Sequence, residues 1–430
     1  MTIAFHTLGC KVNQYDTQAM LERFRDRGYT VVPFDTRADI YLINTCTVTG
    51  TGDRKSLQLA RHLKALYPGC ELILCGCLAQ RLGKDLLSTG ARLILGTQHR
   101  ASVVDLFEDA LRSGTQQVAV DQLENGVPFE PLSVTSQEEH TRATLKIQEG
   151  CSGRCAYCVI PSVRGPVRSR NASEIVHEVC TLTAHGYREI VLTGIHLSSY
   201  GLDLSDIRLI DLLEMIARLP DVHRLRLGSL EPTIATPDFA RRLAALPCIC
   251  PQFHLALQSG SDTVLHRMRR RYNLAMYRDA VRNLRDVFPD CAITTDVLTG
   301  FPGETEAEFQ ETMAFLSEIG FARIHVFPFS PRTGTPAAQM PGQLSRAEKA
   351  RRARLLIAEG EKTREAFQRR FYGRTAQVLV ESEKDGQYFG YTPEYLYVAL
   401  SGNKAYETGS EVTVILGPGN GNTLSGAPVA

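Results

Sequence analysis

Residues 151–158 read Cys151-Ser152-Gly153-Arg154-Cys155-Ala156-Tyr157-Cys158, three cysteines spaced C-x3-C-x2-C directly after a strand-like run at 144–147. Three thiolates can hold three irons of a cubane iron–sulfur cluster, whose usual complement is four cysteines. One iron is then free of protein, and an open coordination position marks a catalytic rather than a structural metal site. Two plainer readings stand beside this one: a zinc knuckle without a nearby fourth ligand, or three unrelated buried thiols. The place of the motif adds weight to the first. A loop leaving the first strand of a repeated strand–helix series lies at the C-terminal mouth of a parallel barrel, where such folds keep their active sites.

The repeat continues outward from the motif. Strand-like runs at 190–192, 224–227, 254–257, 293–298 and 324–327 alternate with helical ones at 172–184, 207–219, 237–246, 274–287 and 306–319. Asn171 is placed to cap the first of these helices and Gly186 to stop it. Six such units predict a partial (β/α)6 barrel, which with a basic helical segment from 345 fills residues 142–371. Upstream, buried runs at 3–8, 40–43, 72–74 and 93–95 alternate with amphipathic runs at 14–27, 49–67 and 101–111. That rhythm predicts a parallel sheet covered by helices over residues 1–113. Residues 114–141, rich in Gln, Glu, Ser and Pro, read as a linker. Short β-rich runs at 378–380, 388–391, 395–399 and 412–416 predict a small β-barrel over 372–430. The fold class is α/β with a terminal barrel.

The 430 residues are 43% hydrophobic and 22% charged, an ordinary globular composition with room for two or three cores. No apolar run reaches about 18 residues, so no membrane partner is expected. The N-terminus enters a strand with no basic n-region, which points to the cytoplasm. Twelve cysteines in such a chain point to metal or redox chemistry rather than disulfides. The net charge of +1 leaves any nucleic-acid affinity to local patches.

A second set of cysteines lies in the first block. Cys10, Cys46 and Cys77 each follow a predicted strand, in Thr7-Leu8-Gly9-Cys10, Asn44-Thr45-Cys46 and Cys75-Gly76-Cys77. Open parallel sheets bind ligands beyond the carboxyl ends of their strands, so three thiols from three strand ends can converge. Plain packing is the competing use of such cysteines.

The 151–158 spacing, with Tyr157 beside its last cysteine, resembles the radical S-adenosylmethionine (radical SAM) superfamily. There the unique iron chelates the amino and carboxylate groups of SAM, and an electron from the cluster splits its C–S bond. Gly9-Cys10-Lys11-Val12-Asn13-Gln14-Tyr15, Asn44-Thr45-Cys46-Thr47-Val48 and Gly76-Cys77-Leu78-Ala79-Gln80 resemble the N-terminal domain of the methylthiotransferases, a subfamily of it. The resemblance covers nearly the whole chain. It implies two 4Fe–4S clusters, one on Cys151, Cys155 and Cys158 and an auxiliary one on Cys10, Cys46 and Cys77, together with a terminal barrel similar to the TRAM module. Cys77 rather than Cys75 is carried over because it occupies the Gly-Cys-x-Ala-Gln position. The remaining six cysteines match no ligand position. Strand ends suited to SAM supply Thr193 and Gly194, Ser229 and Glu231, and Gln258, beside Tyr157 and the Gly300–Glu304 turn. No side chain stands out as a general base.

The implied reaction inserts a methylthio group at an unactivated C–H position, with a second SAM as methyl donor and both open iron corners facing one chamber. The Gly9–Tyr15 string is most similar to the branch acting on N6-threonylcarbamoyladenosine at position 37 of tRNA. The isopentenyladenosine branch, with Gly-Cys-Gln-Met-Asn, and the ribosomal-protein branch, with Gly-Cys-Pro-Lys-Asn, are the alternatives. A cluster-bearing redox sensor or electron carrier is the alternative of another class. The implied partner is the anticodon stem-loop of tRNA. Residues 346–374 offer it ten Lys and Arg against four Glu, with further arginines at 164, 168, 170, 267, 269, 270 and 271. Residues 375–430 cut the other way, with six acidic side chains against two lysines. Tyr388, Phe389, Tyr391, Tyr395 and Tyr397 could stack on bases, though strand aromatics more often belong to a core.

Overall fold

A computed structural model describes residues 1–137, 141–402 and 404–429. Residues 138–140 of the expected linker, and residues 403 and 430 of the expected terminal barrel, lie outside the described residues.

The first block is a six-stranded parallel sheet: β1 (Thr2–Thr7), β2 (Thr30–Val31), β3 (Ile40–Thr45), β4 (Glu71–Gly76), β5 (Leu93–Leu95) and β6 (Gln117–Ala119), ordered β2-β1-β3-β4-β5-β6. All six residues of β3 are buried, as a central strand covered on both faces requires. Alternate side chains divide between two cores. Tyr41, Ile43, Leu72 and Leu74 pack against Ala60 and Leu63 of helix Gly50–Leu66. Ile40, Leu42, Ile73 and Leu93 pack against Met20 and Phe24 of helix Lys11–Asp26 and Phe107 of helix Val103–Ser113. The stretch expected as a linker is largely built in: it supplies β6, and its Leu132 and Val134 are buried in the main core. Three residues are too few to show a period in sequence.

The second block is the expected partial barrel. Its strands are β7 (Arg142–Glu149), β8 (Arg168–Ser169), β9 (Glu189–Gly194), β10 (Arg224–Leu227), β11 (Gln252–His254), β12 (Ala292–Thr299) and β13 (Arg323–Pro328). They form sheets β10-β9-β7-β8 and β11-β12-β13, joined by bridges Leu225–Ile249 and Leu230–Leu255. Ladders between β7, β9 and β10, and between β11, β12 and β13, are parallel; the two-residue β8, unforeseen in sequence, pairs antiparallel with β7. Leu145, Ile147, Ile190, Leu192, Phe253, Ile293 and Val297 face the helices in one core. By the two-residue period of a strand, Lys146, Glu189, Arg226, His254, Thr294 and Asp296 face the lumen.

Helix Arg346–Arg369 then leads to a closed barrel of β14 (Thr375–Lys384), β15 (Gln387–Tyr391), β16 (Tyr397–Leu400), β17 (Glu411–Gly417) and β18 (Thr423–Pro428), ordered β14-β15-β16-β18-β17. The strand β18 was not foreseen. Val378, Val380, Val398, Val414, Leu416 and Leu424 fill its interior.

The acidic surplus of this barrel has a use inside the molecule. Glu381 pairs with Arg142 at 2.5 Å and Glu411 with Arg224 at 2.6 Å, both arginines standing at the starts of core strands. Tyr391 and Tyr395 stack with centroids 4.4 Å apart, and the Arg142 and Arg226 guanidiniums lie 5.1 and 4.7 Å from the Tyr395 centroid. Arg226 also donates to the Pro393 carbonyl at 2.9 Å. The barrel therefore docks on the N-terminal end of the core strands, opposite the mouth. Tyr391 and Tyr395, expected to stack on bases, stack on each other and on these arginines; Phe389 and Tyr397 stack together with centroids 5.6 Å apart.

Glu189 anchors this interface: fully buried, it accepts from Arg226 at 2.6 and 3.2 Å and lies 3.8 Å from both Arg142 and Arg224. Removing one partner of a buried ion pair typically costs about 3–5 kcal/mol. Glu189→Leu is expected to lower the unfolding free energy from urea titration by about that amount, whereas a double change Glu189→Leu/Arg226→Met recovers much of it. Equal midpoints for Glu189→Leu and the wild type would contradict this.

Candidate active site at the barrel mouth

The loop after β7 turns at Gly150, whose φ is +72°; a Cβ there would sit 1.8 Å from the Pro166 carbonyl oxygen, so only glycine fits. Cys151 N–H donates to the Gly165 carbonyl at 2.9 Å and closes the loop. A Cβ built on Gly153 would lie 3.1 Å from Cys151 Sγ and 4.0 Å from Cys155 Sγ, so both sulfurs turn to one side. Each sulfur has a donor. Gly153 N–H reaches Cys151 Sγ at 3.3 Å, Ile160 N–H reaches Cys158 Sγ at 3.4 Å, and Arg270 Nη1 reaches Cys155 Sγ at 3.0 Å. Burial pushes the Cys158 thiol up to about 12 and raises Cys151 as well. Such thiols stay protonated until a coordinated cation displaces the proton. The donors arranged on them are of the kind that stabilise sulfur bound to a cluster.

These sulfurs line a cavity of about 700 Å³, the size of a cofactor or substrate site. Its polar wall is one connected group. Arg270 binds Glu231 at 2.7 Å, and His196 Nε2 lies 2.9 Å from the other Glu231 oxygen. Burial works to raise the Glu231 carboxyl, but the His196 hydrogen bond and the Arg270 charge outweigh it and hold the group below its usual range. Tyr157 lines the cavity with its ring edge-on to Phe301 at 6.5 Å. Of the residues expected to contact SAM, Tyr157 and Glu231 line this cavity.

Thr193, Gly194, Ser229 and Gln258 are not among the lining residues. Gly194 packs on Gln148, with room for no side chain: a Cβ would come within 2.9 Å of Gln148 Oε1. Gln148 in turn accepts from His196 N–H at 2.7 Å, so these strand ends support the wall from behind. His196 and Arg270 were missed as site residues. Arg270 read as one of a run of basic residues, and its pairing with Glu231 carries no local sequence signal.

The second trio stands at three adjacent strand ends. β1, β3 and β4 are neighbours, with Thr7 opposite Asn44 and Thr45 opposite Gly76, so the turns carrying Cys10, Cys46 and Cys77 are level. A Cβ on Gly9, at φ +111°, would lie 3.1 Å from Cys46 Sγ. Asn13 Nδ2 ties the turns by donating to the Leu8 and Thr45 carbonyls at 2.7 and 3.1 Å. Arg164, with no exposed surface, donates from Nε to Cys77 Sγ at 3.1 Å. Its Nη1 reaches Asp16 and Glu149 at 3.1 and 3.0 Å, and its Nη2 reaches Asn13 Oδ1. Lys146 pairs with the same two carboxylates at 2.6 and 2.7 Å, and Arg100 with Asp16 and, at 2.8 Å, Glu130. Arg168, also buried, donates to the Arg164 carbonyl. Four cations against three carboxylates leave one positive charge over, with Arg164 against Cys77. Burial raises the Cys77 thiol to about 11, against the pull of Arg164. Cys75, fully buried in the sheet core, instead donates to the Ile43 carbonyl at 3.7 Å.

The two trios lie on either side of helix Ile160–Arg164, whose first N–H touches Cys158 and whose last side chain touches Cys77. Four residue rises separate those ends, about 6 Å. Arg332, beyond β13, donates to Thr47 at 2.9 Å and pairs with Asp53 at 2.5 Å, which clamps the loop after Cys46 to the mouth. The 700 Å³ cavity itself is lined by the first trio alone; Cys10 is exposed and Cys46 half-buried.

Most of the expected phosphate-binding arginines are engaged elsewhere. Arg164, Arg168 and Arg170 are buried. Arg267 is held by Glu308 at 2.7 Å, Arg351 by Glu306 at 2.6 Å, Arg352 by Glu304 at 2.7 Å, and Arg370 and Arg374 by Asp290 at 2.7 Å. The local count missed these because the acids come from other elements. Arg154, Arg269 and Arg271 remain at the cavity.

Burial works to raise Asp16 and Glu149, but the surrounding Arg100, Lys146 and Arg164 hold both below the usual carboxylate range. A depressed native value stabilises the fold above the unfolded value of about 4 and is lost as pH falls through the native one. The urea midpoint of the full chain without added iron is expected to hold from pH 7 to about 5 and fall below that. Glu149→Gln should start lower at pH 7 and lose less on acidification; an unchanged acid slope would contradict this.

Residues 145–316 match the Radical SAM superfamily and residues 2–96 match the family described as Uncharacterized protein family UPF0004. The threonylcarbamoyladenosine tRNA methylthiotransferase MtaB of Bacillus subtilis is 39% identical, over 94% of this chain and 91% of that protein. The tRNA-2-methylthio-N(6)-dimethylallyladenosine synthase of Oleidesulfovibrio alaskensis is 36% identical, over 88% and 83%. Among solved structures, the radical S-adenosylmethionine methyltransferase TsrM of Kitasatospora setae shares the fold, with a TM-score of 0.58 at 16% identity over 78% of this chain and 77% of that one. Two strand-end cysteine trios flanking one helix, with relatives of this identity along nearly the full length, place the chain in the radical SAM tRNA methylthiotransferase family.

Proposed function

We propose that the protein attaches a methylthio group to C2 of N6-threonylcarbamoyladenosine at position 37 of tRNA. Cys151, Cys155 and Cys158 would hold one 4Fe–4S cluster and Cys10, Cys46 and Cys77 a second, with SAM in the cavity of about 700 Å³. When bound, these groups supply one-electron cleavage of a C–S bond, a radical able to attack an unactivated C–H bond, and a sulfur source.

The chain's own residues do the positioning. Arg270 fixes the Cys155 sulfur and the Glu231 carboxylate together, and Glu231, kept ionised, accepts hydrogen bonds from hydroxyl or ammonium groups entering the cavity. Tyr157 and Phe301 close one wall against water. Arg164 holds Cys77 in place through a fork whose other arms are saturated. Arg154, Arg269 and Arg271 are left to meet RNA phosphate at the mouth. The observation that carries the proposal is the second trio, set beside the first and supplied with a surplus cation. The threonylcarbamoyl substrate is favoured by the more similar relative and by the Gly9-Cys10-Lys11-Val12-Asn13 string. The 36% identical relative keeps the dimethylallyl substrate as the second reading.

Anaerobic reaction of reconstituted protein with SAM, dithionite and tRNA carrying either modified adenosine, read by nucleoside mass spectrometry, tests this directly. Methylthiolation of the threonylcarbamoyl substrate is expected, with at least tenfold preference. Product on the dimethylallyl substrate alone, or on neither, rejects the proposal. Cys151→Ala is expected to abolish release of 5′-deoxyadenosine while iron on the other trio persists; unchanged activity in that variant would also reject it.

A further inference from the structure

Beneath the mouth, the lumen of the partial barrel carries a cluster that the proposed reaction leaves unused. His254 ends β11, and Asp296 on β12 stands directly opposite His325 on β13. Their neighbours Phe253, Leu255, Ile293 and Val297 pack in the helix-facing core, so the alternation of each strand turns His254, Asp296 and His325 inward. One atom from each lies within 4.8 Å of the other two. We propose that His254, Asp296 and His325 form a three-ligand site for one divalent transition-metal ion, with a further coordination position open to the lumen.

Three features fit this better than an ordinary hydrogen-bonded group. First, the donors stand on three adjacent strands, the most rigid places the fold offers. Second, the ring of His254 is set by a partner on its far side. Nδ1 lies 3.1 Å from Thr294 Oγ1, a hydroxyl that also takes a hydrogen bond from Gln252 at 3.1 Å. A hydroxyl with two lone pairs can accept both, and in the tautomer that donates from Nδ1 the free lone pair is on Nε2, facing Asp296. Fixing the tautomer from behind is the usual support of a metal-ligating histidine. Third, the front of the cluster is not closed on itself. His254 Nε2 and the Asp296 carboxylate stand 3.4 Å apart, beyond ordinary hydrogen-bond length, and His325 makes no hydrogen bond among the described residues. Two imidazole lone pairs and a carboxylate turned on one point call for a cation. Imidazole donors favour zinc, iron, cobalt or nickel over magnesium or calcium. Three protein ligands are the set that leaves a metal able to take a substrate oxygen or water.

Ni²⁺ is the probe, added to the untagged, cluster-reconstituted protein in equilibrium dialysis with nickel and iron measured on the same samples. Comparing wild type with variants isolates the trio whatever the cysteines hold. Wild type is expected to bind about one Ni²⁺ that Asp296→Asn and His325→Gln bind at least tenfold more weakly, with iron content unchanged. Thr294→Val, which keeps all three ligands, is expected to weaken binding about 10–100-fold through the loss of the supporting hydroxyl. No wild-type nickel that the variants lack, or full binding by Asp296→Asn, would overturn the site.

Discussion

The joint that sets the second cysteine trio beside the first is one buried guanidinium. Arg164 ends the short helix that begins beside Cys158, and its five donors are spread over Cys77, Asn13, Asp16 and Glu149. Those partners come from two helices of the N-terminal block and from the first strand of the barrel. A planar fork with no surface exposed can satisfy that set; a lysine, with one compact charge, cannot. Desolvating so many ions is costly, and such a cluster persists only when its geometry is fully satisfied. The consequence is positional: two cysteine trios far apart in sequence are held on two sides of one helix.

The same economy explains the surface. A chain with 48 basic and 47 acidic side chains has little net charge, and several of its arginines are buried in internal joints. Arg142, Arg224 and Arg226 bind the terminal barrel through Glu381, Glu411, Glu189 and the stacked Tyr391 and Tyr395. The acidic character of that barrel is complementary to the core strands it sits on. At the cavity rim, Arg154, Arg269 and Arg271 stand where a polyanion entering the mouth would lie.

Much of this was legible in the sequence. The βα rhythm of the first two blocks, the turn glycines and the C-x3-C-x2-C spacing each follow from short-range rules; the Cys10, Cys46 and Cys77 trio and Tyr157 came from the family resemblance. What stayed hidden was long-range. No local pattern pairs Arg270 with Glu231, Arg164 with Asp16, or Arg352 with Glu304, so residues that are joints looked like free charge. β6 and β18 were hidden for another reason: β6 has only three residues, and β18, reading Thr-Leu-Ser-Gly-Ala-Pro, lacks the apolar alternation that marks a strand. The residues expected to touch SAM at Thr193, Gly194, Ser229 and Gln258 were drawn from strand ends, but the cavity wall is set by the loops that follow, through His196 and Arg270.

The most direct test of Arg164 as the joint between the trios is the iron content and Mössbauer spectrum of Arg164→Lys beside the wild type. Loss of about half of some eight irons per chain, with 5′-deoxyadenosine release from SAM retained, is the result this account predicts. Full iron content and an unchanged spectrum would contradict it.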